Sequence, residues 1–136
     1  MKLNKKGLTL IEIVVVLVII AILAAILVPS LLRWVDKAKD SNVLAAAKTV
    51  QKTVASEISK LYEDDVEIGT THNDFGEEFW EKVSDSVGKT ITNDPTKDRC
   101  VTFKADKNVI VEFTYTEGKK TAQMKEDGTW VIINKD

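Results

Sequence analysis

The chain has 136 residues, with nineteen Lys/Arg against twenty-one Asp/Glu and a net charge of −2, enough for one modest domain and an anchor. The charge is unevenly divided: residues 1–63 hold nine Lys/Arg against five Asp/Glu, a balance of +4, and residues 64–136 hold ten against sixteen, a balance of −6. An acidic C-terminal half excludes nucleic acid as the main partner, because phosphate binding needs a basic surface. The single cysteine, Cys100, excludes an internal disulfide and any multi-cysteine metal cluster.

The first element is read from "KKGLTLIEIVVVLVIIAILAAILVP". Residues 13–32 are twenty positions without a charge, close to the roughly 20 that cross a bilayer as a helix. Lys2, Lys5 and Lys6 ahead of the run, and Ala21, Ala24 and Ala25 within it, also fit a secretory signal peptide. The run is longer than the roughly 7–15 apolar residues of such a peptide, so a single-span anchor fits better. Three lysines precede the span and Arg33, Lys37 and Lys39 follow it, so charge does not set its orientation.

Beyond residue 32 the helical pattern continues. Val43, Ala47, Val50, Val54, Ile58 and Leu61 recur at spacings of 4, 3, 4, 4 and 3, which is one apolar stripe. Pro29 is the only proline up to residue 63 and no glycine falls between Gly7 and Gly69. The pattern predicts one helix over 8–63, about 84 Å at about 1.5 Å per residue. Its 8–32 part is apolar all round, and its amphipathic 33–63 part must lie on something.

The 64–98 segment reads as a loop with one short helix. In "DFGEEFWEKVSDSVG", Asp74 and Glu77 have capping-box spacing, and Phe75, Phe79, Val83 and Val87 form an apolar edge. "TNDPTKD" is a turn-rich link. Four strands are expected in the 99–136 segment, at 100–105, 109–116, 121–125 and 129–134. Val101, Phe103 and Ala105 alternate with polar residues, as do Val109, Val111, Phe113 and Tyr115. Short turns make neighbours pair as an antiparallel meander, whose apolar Val109/Phe113 face receives the helix stripe. The fold class is therefore α+β, a long N-terminal helix on a small antiparallel sheet. Cys100 falls on the other side of its strand from Val101 and Phe103, partly exposed or covered by the loop.

Catalytic chemistry has little support. His72 is the only histidine and stands in a loop, and no serine occupies a nucleophile-elbow pattern. "EDDVE" at 63–67 lacks the ligand spacing of a calcium loop. No catalytic residue, cofactor or metal site is expected.

Glu12 is the informative oddity. A carboxylate in an apolar span costs about 2.5–3.5 kcal/mol at mid-span and less near an end, so it needs a partner. Cleavage after Gly7 would place a new α-amino group on Leu8, four residues away, able to neutralise Glu12 within one helix or between helices. Thr9 adds a hydroxyl nearby, and Ala21 with Ala25 forms a small-xxx-small pair that permits close helix approach.

"KKG" followed by "LTLIEIVVVLVIIAILAAILVP" resembles the leader, cleavage site and N-terminal helix of type IV pilins. The resemblance implies a 1–7 leader, removed by a prepilin peptidase after Gly7, and methylation of Leu8. It makes Glu12 the docking acid, with Thr9, Ala21, Ala25 and Pro29 as further assembly positions, and it loosens the helix near Pro29 in fibres. It also implies the family's lollipop fold, a homo-oligomeric helical filament, and an assembly platform with its ATPase machinery as partners. The protein would sit in the cytoplasmic membrane before assembly and in an extracellular fibre afterwards, serving attachment, motility or biofilm formation. Leu8 replaces the usual phenylalanine, Ala21 stands where many pilins have glycine, and one cysteine forbids their C-terminal disulfide. That last departure points to a Gram-positive, clostridial-like pilin. A pseudopilin of type II secretion or competence shares every N-terminal feature. A solitary membrane-anchored sensing domain gives Glu12 no reason to exist, and an enzyme is the weakest reading.

Overall fold

A computed structural model of the chain describes residues 7–64 and 69–134. Leader positions 1–6, positions 65–67 of the acidic stretch, and 68, 135 and 136 lie outside the described residues. Contacts divide the chain into two units, Met1–Ala38 and Lys39–Asp136, and helix α1 (Leu10–Glu63) contributes to both. The helix starts at Leu10 rather than at residue 8, because Thr9 is its cap, and it continues through Pro29.

In the first unit every residue from 7 to 38 is exposed. A helix apolar on all sides has no cover here, and its backbone satisfies itself internally, as a lipid or tightly packed setting requires. It is long and apolar enough to cross a membrane. Trp34 follows the apolar run 70% exposed, with Lys37 Nζ 5.9 Å from its ring centroid. Such aromatic and basic residues suit a membrane–water boundary.

The second unit holds the core. Val43, Ala47, Val50, Val54 and Ile58 of α1 are buried as the stripe requires, whereas Leu61 is only partly covered and Glu57 is buried with an ion pair to Lys60 at 2.6 Å. A 3₁₀ turn (His72–Asp74) and helix α2 (Glu77–Val87) precede strands β1 (Cys100–Asp106), β2 (Val109–Glu117), β3 (Lys120–Met124) and β4 (Trp130–Asn134). The strands are antiparallel in the order β1-β2-β3-β4, the expected meander, with ends within one residue of the sequence pattern.

Two local expectations are corrected. The alternation Val109, Val111, Phe113, Tyr115 holds only for its last two members. Lys104 pairs with Glu112 but Ala105 pairs with Ile110, so Val111 is an extra residue in a bulge. A one-residue slip exchanges faces: Ile110 enters the core and Val109 is 60% exposed. The Phe113 face still receives α1, without Val109.

Asp74 does not cap α2, whose N-cap is Gly76. Its Oδ2 instead accepts from Thr70 N at 2.9 Å, Thr71 N at 2.7 Å and Thr71 Oγ1 at 2.9 Å. Gly69 permits this turn, since a Cβ there would lie 2.0 Å from Asp74 Cβ. The α2 edge also gains Trp80, which packs with Phe79 at 5.2 Å and Phe103 at 6.1 Å between ring centroids. Cys100 is buried, covered where Thr92 bridges to it.

Candidate functional site

The sequence Thr9-Leu10-Ile11-Glu12 opens an apolar helix with a Thr-x-x-Glu pattern, and the structure closes it as a reciprocal cap. Glu12 Oε2 accepts from Thr9 N at 2.7 Å and from Thr9 Oγ1 at 2.7 Å. In return Glu12 N–H donates to Thr9 Oγ1 at 3.3 Å, and Ile13 N–H to the Thr9 carbonyl at 3.2 Å. This is a capping box, and it satisfies amide groups that the first helical turn leaves unpaired. The carboxylate also sits at the positive end of the helix dipole. Glu12 therefore has a partner inside its own chain. The Thr-x-x-Glu spacing is the sequence signal for this cap, beyond the nearby hydroxyl that Thr9 supplies.

Oε2 takes both bonds, and Oε1 accepts none among the described residues. The ring of Leu8, Ile11, Val15 and Val16 around Glu12 is apolar and open. Gly7 and Leu8 precede the helix and are exposed. Ala21 and Ala25 lie one turn apart on exposed helix, as does Pro29 after them. They do not meet Glu12, being nine or more residues along one helix, roughly 14 Å at about 1.5 Å per residue.

The second unit offers less chemistry. A hollow of about 710 Å³ beside α2 is lined by Glu57, Lys60, Glu78 and Lys82 among others, with no histidine or cysteine among its described walls. His72 stacks edge-on to Phe103, 6.4 Å between centroids. No group of three or more His, Cys, Asp or Glu among the described residues could hold a metal ion.

A helix of membrane-crossing length, with a capped carboxylate near its start, runs into an α+β unit. Residues 2–28 match the family described as the prokaryotic N-terminal methylation motif. A 42-residue stretch is 55% identical to the type IV wide pilus major component PilA4 of Thermus thermophilus, covering 31% of this chain and 32% of that protein. The match thus spans about a third of the relative's length. No solved structure matches the chain. The N-terminal segment carries the type IV prepilin methylation motif, and the two matches together support a type IV pilin.

Proposed function

We propose that this chain is a structural subunit of a type IV pilus, a helical homo-oligomer built through its N-terminal helix. The methylation motif over residues 2–28 is the observation that carries the reading. A prepilin peptidase removes residues 1–7, Leu8 is methylated, and the subunit waits in the cytoplasmic membrane as a single-pass protein. The assembly platform and its ATPase then move it into an extracellular fibre, for attachment, motility or biofilm formation. The lone Cys100 favours a Gram-positive source, where the C-terminal disulfide is dispensable.

The cap geometry gives this reading a mechanism. Thr9 holds Glu12 in place through Oε2, and Oε1 remains for the amino group of Leu8 on an adjoining subunit. In the water-poor centre of a fibre such a pair forms only when the partner is correctly seated, so it selects register. A secretion or competence pseudopilin shares this machinery, and a relative named as a pilus component favours the pilus.

Mass spectrometry of sheared surface material tests the reading. The expected chain begins at Leu8 and carries one added methyl group. An intact Met1, or a start after Ala24 or Ala25, overturns it.

A further inference from the structure

Within the second unit, α1 presents Lys48 and Lys52 one turn apart on its exposed side, among Ala45, Thr49 and Ser56. Neither lysine has an ion pair among the described residues. Helix α2 presents the opposite charge: Glu77, Glu81 and Asp85 recur every fourth residue on its exposed side. The only lysine of α2, Lys82, already pairs with Glu78 at 3.0 Å.

Two considerations set these patches against each other. Residues 39–136 carry fourteen Lys/Arg against nineteen Asp/Glu, a balance of −5, so copies repel one another unless opposite patches meet. The patches also stand at different levels. The hollow beside α2 is walled by Glu57, Lys60 and Leu61 of α1, at least five residues beyond the lysine pair, roughly 7 Å or more at about 1.5 Å per residue. No ion pair joins the two patches within one subunit among the described residues. The offset suits a head-to-tail contact, in which one patch of each copy meets the other patch of the next.

We infer that Lys48 and Lys52 of one subunit dock against Glu77, Glu81 and Asp85 of a second copy, forming the charged contact between second units in the fibre. The inference rests on the filament reading above and names the surface that orients neighbours once their N-terminal helices have packed. Close-range opposite charges favour this juxtaposition, and like charges there oppose it.

The test uses the full chain expressed in its host, with fibres sheared and counted and membrane-held protein checked for a Leu8 start. Lys48→Glu with Lys52→Glu is expected to lower fibre yield at least tenfold, about 1.4 kcal/mol, while processed protein stays in the membrane. Glu77→Lys with Glu81→Lys should do the same, and combining all four changes should restore fibres. The restoration separates a broken contact from a broken fold. Single-patch variants with wild-type fibre yield, or a loss that the combined swap does not repair, overturn the inference. So does a lysine variant that keeps its fibres but no longer binds phosphatidylglycerol vesicles, for then the membrane is the partner. If the unchanged chain makes no fibres, the pilus reading itself fails and takes this contact with it.

Discussion

Glu12 caps α1, and on the proposed function it also docks the next subunit; two substitutions separate these roles. As a cap it steadies the first turn of α1, and Thr9→Ala should loosen that turn by about 1 kcal/mol. Thr9→Ala leaves the carboxylate in place, so fibres should form at reduced yield. Glu12→Leu removes the carboxylate and makes the helix more apolar, which preserves membrane insertion. Cleavage after Gly7 should largely survive. On the proposed function, what is lost is the acid that would face the Leu8 amine of the next subunit, and each incoming subunit would meet a buried, unpaired charge. Mature protein should accumulate in the membrane while fibres vanish, and normal fibre numbers from Glu12→Leu protein alone would refute the mechanism. Gly69 acts by shape. A Cβ there would stand 2.0 Å from Asp74 Cβ, so Gly69→Ala must displace the Thr70–Asp74 turn and lower the melting temperature.

At the scale of elements, the sheet and α1 hold together by apolar contact and a charged tie. Phe113 is fully buried and touches the Trp130 ring at 6.1 Å between centroids, so Phe113→Ala should cost about 3–5 kcal/mol in a denaturant titration. Lys120 on β3 is almost buried and donates to Asp40 Oδ1 of α1 at 2.5 Å and to Asn134 Oδ1 of β4 at 3.0 Å. Asp40→Ala leaves the almost buried Lys120 ammonium without its carboxylate, and because the Asp40 side is 38% exposed the cost should fall below that of a fully buried pair, about 1–3 kcal/mol. Breaking the exposed Glu78–Lys82 pair should leave the melting temperature essentially unchanged. The turns add a pH dependence. The Thr71 backbone N–H and then its hydroxyl hold Asp74 below the ordinary carboxylate range. The hydroxyl and then the backbone N–H of Thr96 and of Thr129 do the same for Asp94 and Asp127. A carboxylate with a lowered folded-state value stabilises above its unfolded value, about 3.9, and that contribution is lost as pH falls through the folded value. Thermal melts should therefore hold steady down to about pH 5 and drop below about pH 4. Asp74→Asn with Asp94→Asn should shrink that acid-side drop.

For the whole molecule, the division at Ala38/Lys39 separates two kinds of surface. The first unit carries the exposed run 13–32 without a charge, and the second buries its own core. A chain beginning at Lys39 should be soluble, monomeric and cooperatively folded, and the full chain should partition into detergent. Light scattering and calorimetry check both. An aggregated or molten 39–136 chain would mean that its core depends on the anchor.

Much of this was legible in the residues because the signals are local and periodic. Twenty uncharged positions, the stripe from Val43 to Ile58 and the alternation at Val101, Phe103 and Ala105 each follow from the geometry of one element. Motif spacing around Gly7, Leu8 and Glu12 likewise needs no fold. Features joining distant segments required the tertiary structure. The bulge that turns Ile110 inward and Val109 outward depends on how β1 pairs with β2. Asp74 serves the turn before it because Gly69 lets the backbone close in, a contact that spacing to Glu77 does not reveal. The Lys120–Asp40 tie joins positions eighty residues apart, and no periodicity links them. Local chemistry is written along the chain, whereas register and long-range pairing emerge only when packing chooses among the alternatives that local chemistry leaves equal.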